Sequence, residues 1–269
     1  MTRRGWVLPI LTVLGFSFLY APIVSLVVFS FNESRLVTVW GGFSLRWYQE
    51  LFADPQMLGA AWLSLQIAAI SATIALVLGT LCAVALVRFK RFRGRTALTG
   101  MVSAPLVMPD VITGLSLLLL FVGMEAALGW PAGRGMLTII LAHSTFCMAY
   151  ITVVVQARLS DLDLSLEEAA MDLGATPARV FFDITLPIIA PALVSGWLLG
   201  FTLSLDDLVI ASFVSGPGSS TLPMVIFSKI RLGVSPDVNA LATIIIGIVA
   251  LGVVTATLLQ LQRPKGGRA

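Results

Sequence analysis

Six long runs of apolar residues, separated by shorter polar segments, dominate the pattern of the chain. A helix that crosses a membrane needs about 20 mostly apolar residues in succession. The pattern therefore predicts an all-α membrane protein with six transmembrane helices. Because no polar segment is long enough to fold separately, we expect a single transmembrane domain over residues 1–269. The predicted spans are residues 6–31, 60–87, 98–122, 136–156, 188–213 and 240–261.

The composition strengthens this interpretation. Of the 269 residues, 58% are hydrophobic and 12% are charged, whereas soluble globular chains have roughly 45–50% and about 25%. A water-soluble fold of this length could not bury so much apolar surface, so the excess must face membrane lipid. The formal net charge of +3 is informative only through the positions of the basic residues along the chain.

The basic residues indicate which loops face the cytoplasm. Short loops on the cytoplasmic side of a membrane are enriched in Lys and Arg. Here these residues cluster before span one, between spans two and three, and after span six. We therefore expect both termini, and the loops after spans two and four, to be cytoplasmic. The clustered residues are Arg3, Arg4, Arg88, Lys90, Arg91, Arg93, Arg95, Arg263, Lys265 and Arg268.

The loop between spans four and five, residues 157–187, is cytoplasmic by this topology but acidic rather than basic. It holds six acidic residues against two arginines, and Pro187 marks its return to the membrane. A DNA-binding helix–turn–helix would need a basic surface for phosphate, so we expect no nucleic acid partner. The acidic residues are Asp161, Asp163, Glu167, Glu168, Asp172 and Asp183.

Local signals divide the 157–187 loop into two short helices. Ser165 and Glu168 have the spacing of a capping box, and Gly174 suits the left-handed residue that closes a helix. Thr176 can cap a second helix that has Pro177 at its first position. Two interpretations remain open: a helical bracket with a small-residue face for a partner, or a tight hairpin packed on its own bundle. Its apolar positions are Leu166, Ala169, Ala170, Leu173, Val180, Phe181 and Ile184.

Two kinds of site are missing from the sequence. A phosphate-binding P-loop has a lysine between a glycine and a Ser or Thr, and Lys90, Lys229 and Lys265 all lack that setting. Any ATP must therefore be handled by another subunit, and we expect no enzymatic activity on this chain. His143 is the only histidine and no Cys/His cluster occurs, so we expect no metal or other cofactor. His143 itself makes a helix-packing hydrogen bond or lies near a solute pathway.

Three acidic residues lie in or beside apolar runs. Ionisable residues in a span are expensive to bury and become functional candidates by default. Asp110 follows a proline within predicted span three, and Asp206 and Asp207 lie toward the outer end of span five. They line a solute pathway, or they have a structural role in which they cap a broken helix or pair with Lys229 or Arg231.

Carboxylates along such a pathway would select the charge of the solute. Unpaired carboxylates in a low-dielectric route attract cations, so a diamine or polyamine fits. Trp197 and Phe201 could offer aromatic faces to its ammonium groups, or they could pack against lipid and neighbouring helices. The spacing Gly196-x-x-x-Gly200 in the same span favours close approach of another helix.

The 157–187 loop resembles a known element. Glu-Ala-Ala, three residues, Gly, nine residues, then Ile-x-Leu-Pro is similar to the EAA loop of binding-protein-dependent ABC transporter permeases. The resemblance implies a cytoplasmic coupling helix, between helices four and five, that docks into a separate ATPase carrying ATP and Mg²⁺. The positions implied in coupling are Glu168, Ala169, Ala170, Gly174, Ile184, Leu186 and Pro187.

A second resemblance concerns the solute. Residues 204–210, 213–218, 221–223, 231–236 and 239–240 are similar to the second permease subunit of spermidine/putrescine importers, and putrescine is the favoured solute. The family implies a bacterial inner membrane location, a different second permease chain forming a heterodimer, two ATPase subunits and a periplasmic polyamine-binding protein. The binding protein would meet the outer loops 32–59 and 213–238. A permease for another small solute and an ion-coupled secondary transporter remain the alternatives.

Overall fold

The computed structural model describes residues 4–36, 39–89, 91–232 and 236–262. The predicted cytoplasmic residues Arg3, Lys90, Arg263, Lys265 and Arg268 lie outside that part, as do residues 233–235. Within the described part the fold is all-α, with one isolated bridge between Asn32 and Phe43. The helices are α1 (Arg4–Phe29), α2 (Arg46–Phe52), α3 (Pro55–Arg88), α4 (Arg95–Val107), α5 (Asp110–Leu128), α6 (Met136–Ser160), α7 (Leu164–Asp172), α8 (Pro177–Val180), α9 (Leu186–Asp206), α10 (Val209–Val214), α11 (Leu222–Leu232) and α12 (Pro236–Gln262).

Five helical segments of the described chain are long and apolar enough to cross a membrane, and they confirm a multi-pass membrane protein. A sixth helix, α12, has 27 residues, and its segment Pro236–Leu251 is a shorter apolar helix by the same measure. Helix α12 as a whole covers the predicted sixth span, 240–261. The five segments are Val7–Phe29, Pro55–Arg88, Asp110–Leu128, Met136–Ser160 and Pro177–Asp206.

The bounds of the predicted third span, 98–122, are wrong. The helix breaks at Met108 and Pro109, both of which have extended backbone, and the spanning helix is α5. A proline disfavours helical geometry at the residue before it, and it has no N–H for a helical hydrogen bond. The apolar run continues through this break, so hydrophobicity alone could not locate it.

The predicted fifth span, 188–213, is also shifted. Helical structure begins at Pro177 in α8, passes through a π-helical turn at Phe181–Thr185, and continues as α9. It ends at Asp206, because Asp207 is extended and α10 is a separate short helix. Pro187 lies in the first turn of α9, directly after the π-helical turn, and proline has no N–H for a regular helical hydrogen bond.

The residues group into two compact units, Gly59–Val225 and Met1–Leu58 with Ile226–Ala269. In the Gly59–Val225 unit, glycines surround the fully buried Ile151 of α6. A Cβ atom added at Gly79 or Gly196 would lie 3.1 or 3.3 Å from its Cγ2, and one added at Gly200 only 2.9 Å from its Cδ1. Glycine therefore lets α3 and α9 approach α6 closely, as the Gly196-x-x-x-Gly200 spacing predicts.

Polar contacts organise the other unit, Met1–Leu58 with Ile226–Ala269. Asp54 accepts hydrogen bonds from the amides of Gln56 and Met57 at the start of α3, and it pairs with Lys229 at 2.8 Å. The hydrogen bond from Lys229 outweighs burial and holds the pKa of Asp54 below its usual value. Burial alone would lower the pKa of Lys229, but hydrogen bonds to Asp237 and Asp54 raise it.

Candidate functional site

The turn of the 157–187 loop has the predicted geometry. Helix α7 ends at Asp172, and Gly174 adopts a φ of +88°, the left-handed region that favours glycine. The amide of Ala175 donates to the carbonyl of Ala170, and the amide of Gly174 donates to that of Met171. These bonds satisfy carbonyls left free at the end of the helix, so the predicted turn is confirmed.

The N-terminal caps of the two helices in this loop agree with the predictions only in part. Thr176 accepts a hydrogen bond from the amide of Arg179, and Pro177 is the first residue of α8, as expected. The Ser165 capping box is wrong, because the carboxylate of Asp163 caps α7 and accepts from the amide of Ser165 at 3.0 Å. That hydrogen bond lowers the pKa of Asp163. An aspartate directly before the helix is as good a cap as serine.

The loop presents apolar side chains to its surroundings. Helix α7 has no buried residue, and Leu173 is 90% exposed. Leu166 and Met171 are exposed as well, so α7 is not packed tightly on its own bundle. Among the residues implied in coupling, Glu168, Ala169, Gly174 and Pro187 are exposed, whereas Ala170, Ile184 and Leu186 are half-buried.

A polar contact that the sequence analysis missed ties this loop to the spans. Oε1 of Glu167 accepts a hydrogen bond from Nη2 of Arg88 at 2.5 Å and another from Oγ1 of Thr185 at 2.7 Å. Arg88 is the last residue of α3, and Thr185 is the last residue of the π-helical turn. Glu167 directly precedes Glu168, so the pair of acids was visible, but the partner 79 positions away was not.

The three acidic residues proposed for a pathway come together. Asp110, Asp206 and Asp207 line one pocket of about 350 Å³. Asp110 begins α5 after the break at Pro109, Asp206 ends α9, and Asp207 lies in the break before α10. Two interrupted helices therefore place their carboxylates in a single cavity. We call this cavity the acidic pocket.

Asp207 has a structural role in addition to lining the pocket. Its carboxylate accepts hydrogen bonds from the amides of Ile210 and Ala211 in the first turn of α10. It also lies 3.1 Å from Nε2 of the buried His143, whose Nδ1 is 2.7 Å from Oγ of Ser204. His143 thus makes a helix-packing contact, one of its two interpretations.

The basic partners considered for the pathway acids are engaged elsewhere. Lys229 binds Asp54 and Asp237, and the guanidinium of Arg231 lies 4.7 Å from the centre of the Phe227 ring. In contrast to Asp207, Asp110 and Asp206 are exposed.

The aromatic residues chosen from the sequence lie outside the acidic pocket. Trp197 and Phe201 stack on each other at 5.3 Å, and the indole N–H of Trp197 donates to Oγ1 of Thr73 on α3. The pocket is lined instead by Phe146 and Tyr150 of α6, whose ring centres are 5.1 Å apart. Their spacing of four residues puts both on one helix face, but the sequence does not reveal which face meets the acids.

The known proteins and the family model that match this chain all describe membrane components of transport systems. Residues 75–265 match the family described as binding-protein-dependent transport system inner membrane component. The chain is 65% identical over 251 residues to the putrescine transport system permease protein PotI of Escherichia coli, covering 93% of this chain and 89% of that protein. It is 46% identical over 231 residues to the spermidine/putrescine transport system permease protein PotC of Haemophilus influenzae, covering 86% and 87%.

Solved structures share the fold. A chain of a bacterial ABC transporter involved in the import of the acidic polysaccharide alginate aligns with a TM-score of 0.73 and 20% identity, covering 98% of this chain and 97% of that one. A chain of the MetNI methionine ABC transporter aligns with a TM-score of 0.59 and 16% identity, covering 74% and 92%. At these identities the likeness concerns architecture alone.

Proposed function

Because the chain belongs to the family of binding-protein-dependent transport system inner membrane components, we propose that it forms half of the pathway of an ATP-driven polyamine importer. Putrescine is the proposed solute. The 65% identity to a putrescine transport system permease protein supports this choice, and so does the acidity of the pocket.

The acidic pocket is the observation that carries the proposal. Asp110 and Asp206 expose carboxylates in a cavity of about 350 Å³ at two helix breaks. Irregular backbone at membrane depth is tolerated where it lines a cavity, and carboxylates there attract a cation. Phe146 and Tyr150 supply aromatic faces for an ammonium group, the role first considered for Trp197 and Phe201.

The 157–187 loop is the proposed contact with the energy source. Its exposed apolar residues on α7 and the turn at Gly174 form a surface for a cytoplasmic ATPase, which would hold ATP and Mg²⁺. Glu168, Ala169, Ala170 and Gly174 would dock there. Ile184, Leu186 and Pro187 lie where the π-helical turn passes into α9, the helix that would carry the motion to the pathway. Transport then proceeds by alternating access: ATP binding opens the pathway outward, and hydrolysis resets it inward.

The proposed complex contains four kinds of chain. This permease would pair with a different permease subunit, and two ATPase subunits would bind on the cytoplasmic side. A periplasmic polyamine-binding protein would deliver the solute to the outer mouth, near residues 32–59 and 213–238. The proposed location is the bacterial inner membrane with both termini in the cytoplasm.

Purification of the tagged chain from its host in a mild detergent tests the proposal. We expect an ATPase and a second permease to co-purify. After reconstitution, a binding protein loaded with putrescine should stimulate hydrolysis more than one loaded with spermidine or with a neutral solute. Stimulation of hydrolysis by a binding protein loaded with a different solute would contradict the proposal that the solute is a polyamine. A chain that transports without any ATPase would favour an ion-coupled secondary transporter instead.

A further inference from the structure

We propose that Glu167 is a positioning residue for coupling, which fastens α7 to the cytoplasmic ends of α3 and α9. The inference rests on the proposed function, since it assumes that the 157–187 loop receives motion from an ATPase. It assigns a role to the acid that precedes Glu168, a role that the resemblance to the EAA loop does not supply.

The geometry joins three separate elements at one oxygen atom. Oε1 of Glu167 accepts from Arg88 at 2.5 Å and from Thr185 at 2.7 Å. Arg88 ends α3, and Thr185 is the last residue before α9. A displacement of α7 therefore pulls on two membrane-crossing segments at the same time.

The surroundings make this contact stronger than an ordinary surface ion pair. The side chains of Glu167 and Arg88 are 14% and 19% exposed, and Thr185 is buried. Arg179 and Asp183 form a pair in the same loop at 3.1 Å, but their side chains are 75% and 62% exposed. Water screens an exposed pair of this kind, which then contributes little. The chain thus offers a matched comparison within one loop.

Apolar packing around α7 is sparse. Helix α7 buries no residue, and a cavity of about 350 Å³ is lined by residues of α7 together with residues of the bundle. The pocket lies among Val84, Leu159, Met171 and Val180, with Arg88 and Glu167 also in its lining. Beside this cavity, the hydrogen bond from Arg88 to Glu167 joins α7 to the end of α3.

The expected consequence of losing Glu167 is uncoupling. Helix α7 is flanked by turns at both ends, so without this contact it can move with the ATPase while α3 and α9 stay in place. Hydrolysis would continue, but fewer solute molecules would cross per ATP consumed. A residue needed only for folding would instead lower assembly and both activities together.

The test compares Glu167→Ala with Asp183→Ala in the complete complex, reconstituted with putrescine-loaded binding protein. Alanine removes Oε1, the atom that accepts both hydrogen bonds. We expect Glu167→Ala to lower the ratio of putrescine transported to ATP hydrolysed at least tenfold, with basal hydrolysis within twofold of the wild type. Asp183→Ala should leave the ratio unchanged. Arg88→Ala should reproduce the loss, and the double variant Arg88→Ala/Glu167→Ala should lose no more than either single variant. A wild-type ratio in Glu167→Ala overturns the inference.

Hydrogen exchange separates this inference from the proposed function. In Glu167→Ala, the amides of residues 164–172 should exchange at least tenfold faster than in the wild type, and Asp183→Ala should have no effect. Unchanged exchange overturns the fastening role whatever the transported solute is. If the wild-type complex shows no polyamine-stimulated hydrolysis, the proposed function fails and the coupling role fails with it, while the exchange rates still decide whether Glu167 holds α7.

Discussion

The carboxylate of Asp207 lies 3.1 Å from Nε2 of His143, and the side chains are only 9% and 1% exposed. This contact distinguishes two adjacent acids that look alike in the sequence. Asp207 is held by His143 and by two amides of α10, whereas Asp206 is exposed in the acidic pocket. Of these two acids, we therefore expect Asp206 rather than Asp207 to attract the proposed solute.

Substitution of the two acids should have opposite signatures. Asp206→Asn should lower putrescine uptake by about tenfold, which corresponds to about 1.4 kcal/mol of lost attraction, and should leave the melting temperature unchanged. Asp207→Asn should destabilise the protein by about 1–3 kcal/mol, because an NH2 donor replaces one of the two acceptor oxygens and leaves a buried hydrogen-bond partner unsatisfied. Uptake assays and thermal unfolding in detergent measure both. Equal effects on uptake and stability from the two variants would contradict the division of roles.

Gly174→Val should uncouple transport from hydrolysis while the chain still inserts and assembles. No atom lies within 4 Å of a Cβ added at this position, so the effect comes from the backbone. A left-handed conformation costs an ordinary residue about 1–2 kcal/mol, and a β-branched residue resists it more strongly. Gly174→Asn is the control, because asparagine tolerates this conformation. Normal putrescine uptake per ATP in Gly174→Val would show that the turn geometry is dispensable.

Gly200→Val should destabilise the Gly59–Val225 unit by about 1–3 kcal/mol, the usual effect of overpacking a core. Even the Cβ would lie 2.9 Å from Cδ1 of Ile151 and 3.6 Å from Cβ of Cys147. Gly59→Val is the control, since no atom lies within 4 Å of a Cβ there. Thermal unfolding in detergent compares the two. The packing argument would fail if both variants had the same melting temperature.

The pair of Asp54 and Lys229 predicts a loss of stability in acid. Folding lowers the pKa of Asp54 below its ordinary value of 3.8, so the folded state favours the charged carboxylate. The stabilisation is complete above that ordinary value and is lost as the pH falls through the lower pKa of the folded protein. Melting temperatures measured across this window should decline less steeply in Asp54→Asn than in the wild type. Parallel curves would rule out this contribution.

Local signals predicted the parts of the structure that depend on neighbouring residues. Gly174 and the sequence Thr176-Pro177 fix the turn and the start of α8 through their own backbone preferences, and long apolar runs are sufficient to identify spans. The break at Pro109 was harder, because the apolar run does not stop there. The start of α7 was also hard to locate, because Asp163 and Ser165 are both of residue types that cap helices.

Contacts between distant segments could not be predicted in the same way. The partnership of Arg88 and Glu167 joins residues 79 positions apart, and nothing local in the sequence encodes it. Which aromatic residues line the acidic pocket depends on how α6 and α9 are rotated about their axes. A single sequence shows that Trp197 and Phe201 share a helix face with each other, but not that Phe146 and Tyr150 face the acids.

The continuous helical path from Pro177 to Asp206 can act as a lever, because a tilt at one end displaces the other end by an amount that depends on its length. At about 1.5 Å per residue, its 30 residues extend roughly 45 Å from the turn that contains Gly174 to the acidic pocket. A tilt of about 5° around one end would displace the other by about 4 Å, comparable to the width of an alkyl chain. No loop interrupts this path, so under the proposed mechanism the length of the helix sets how far its far end moves for a given tilt, while the contact of Glu167 decides whether α7 transmits that tilt.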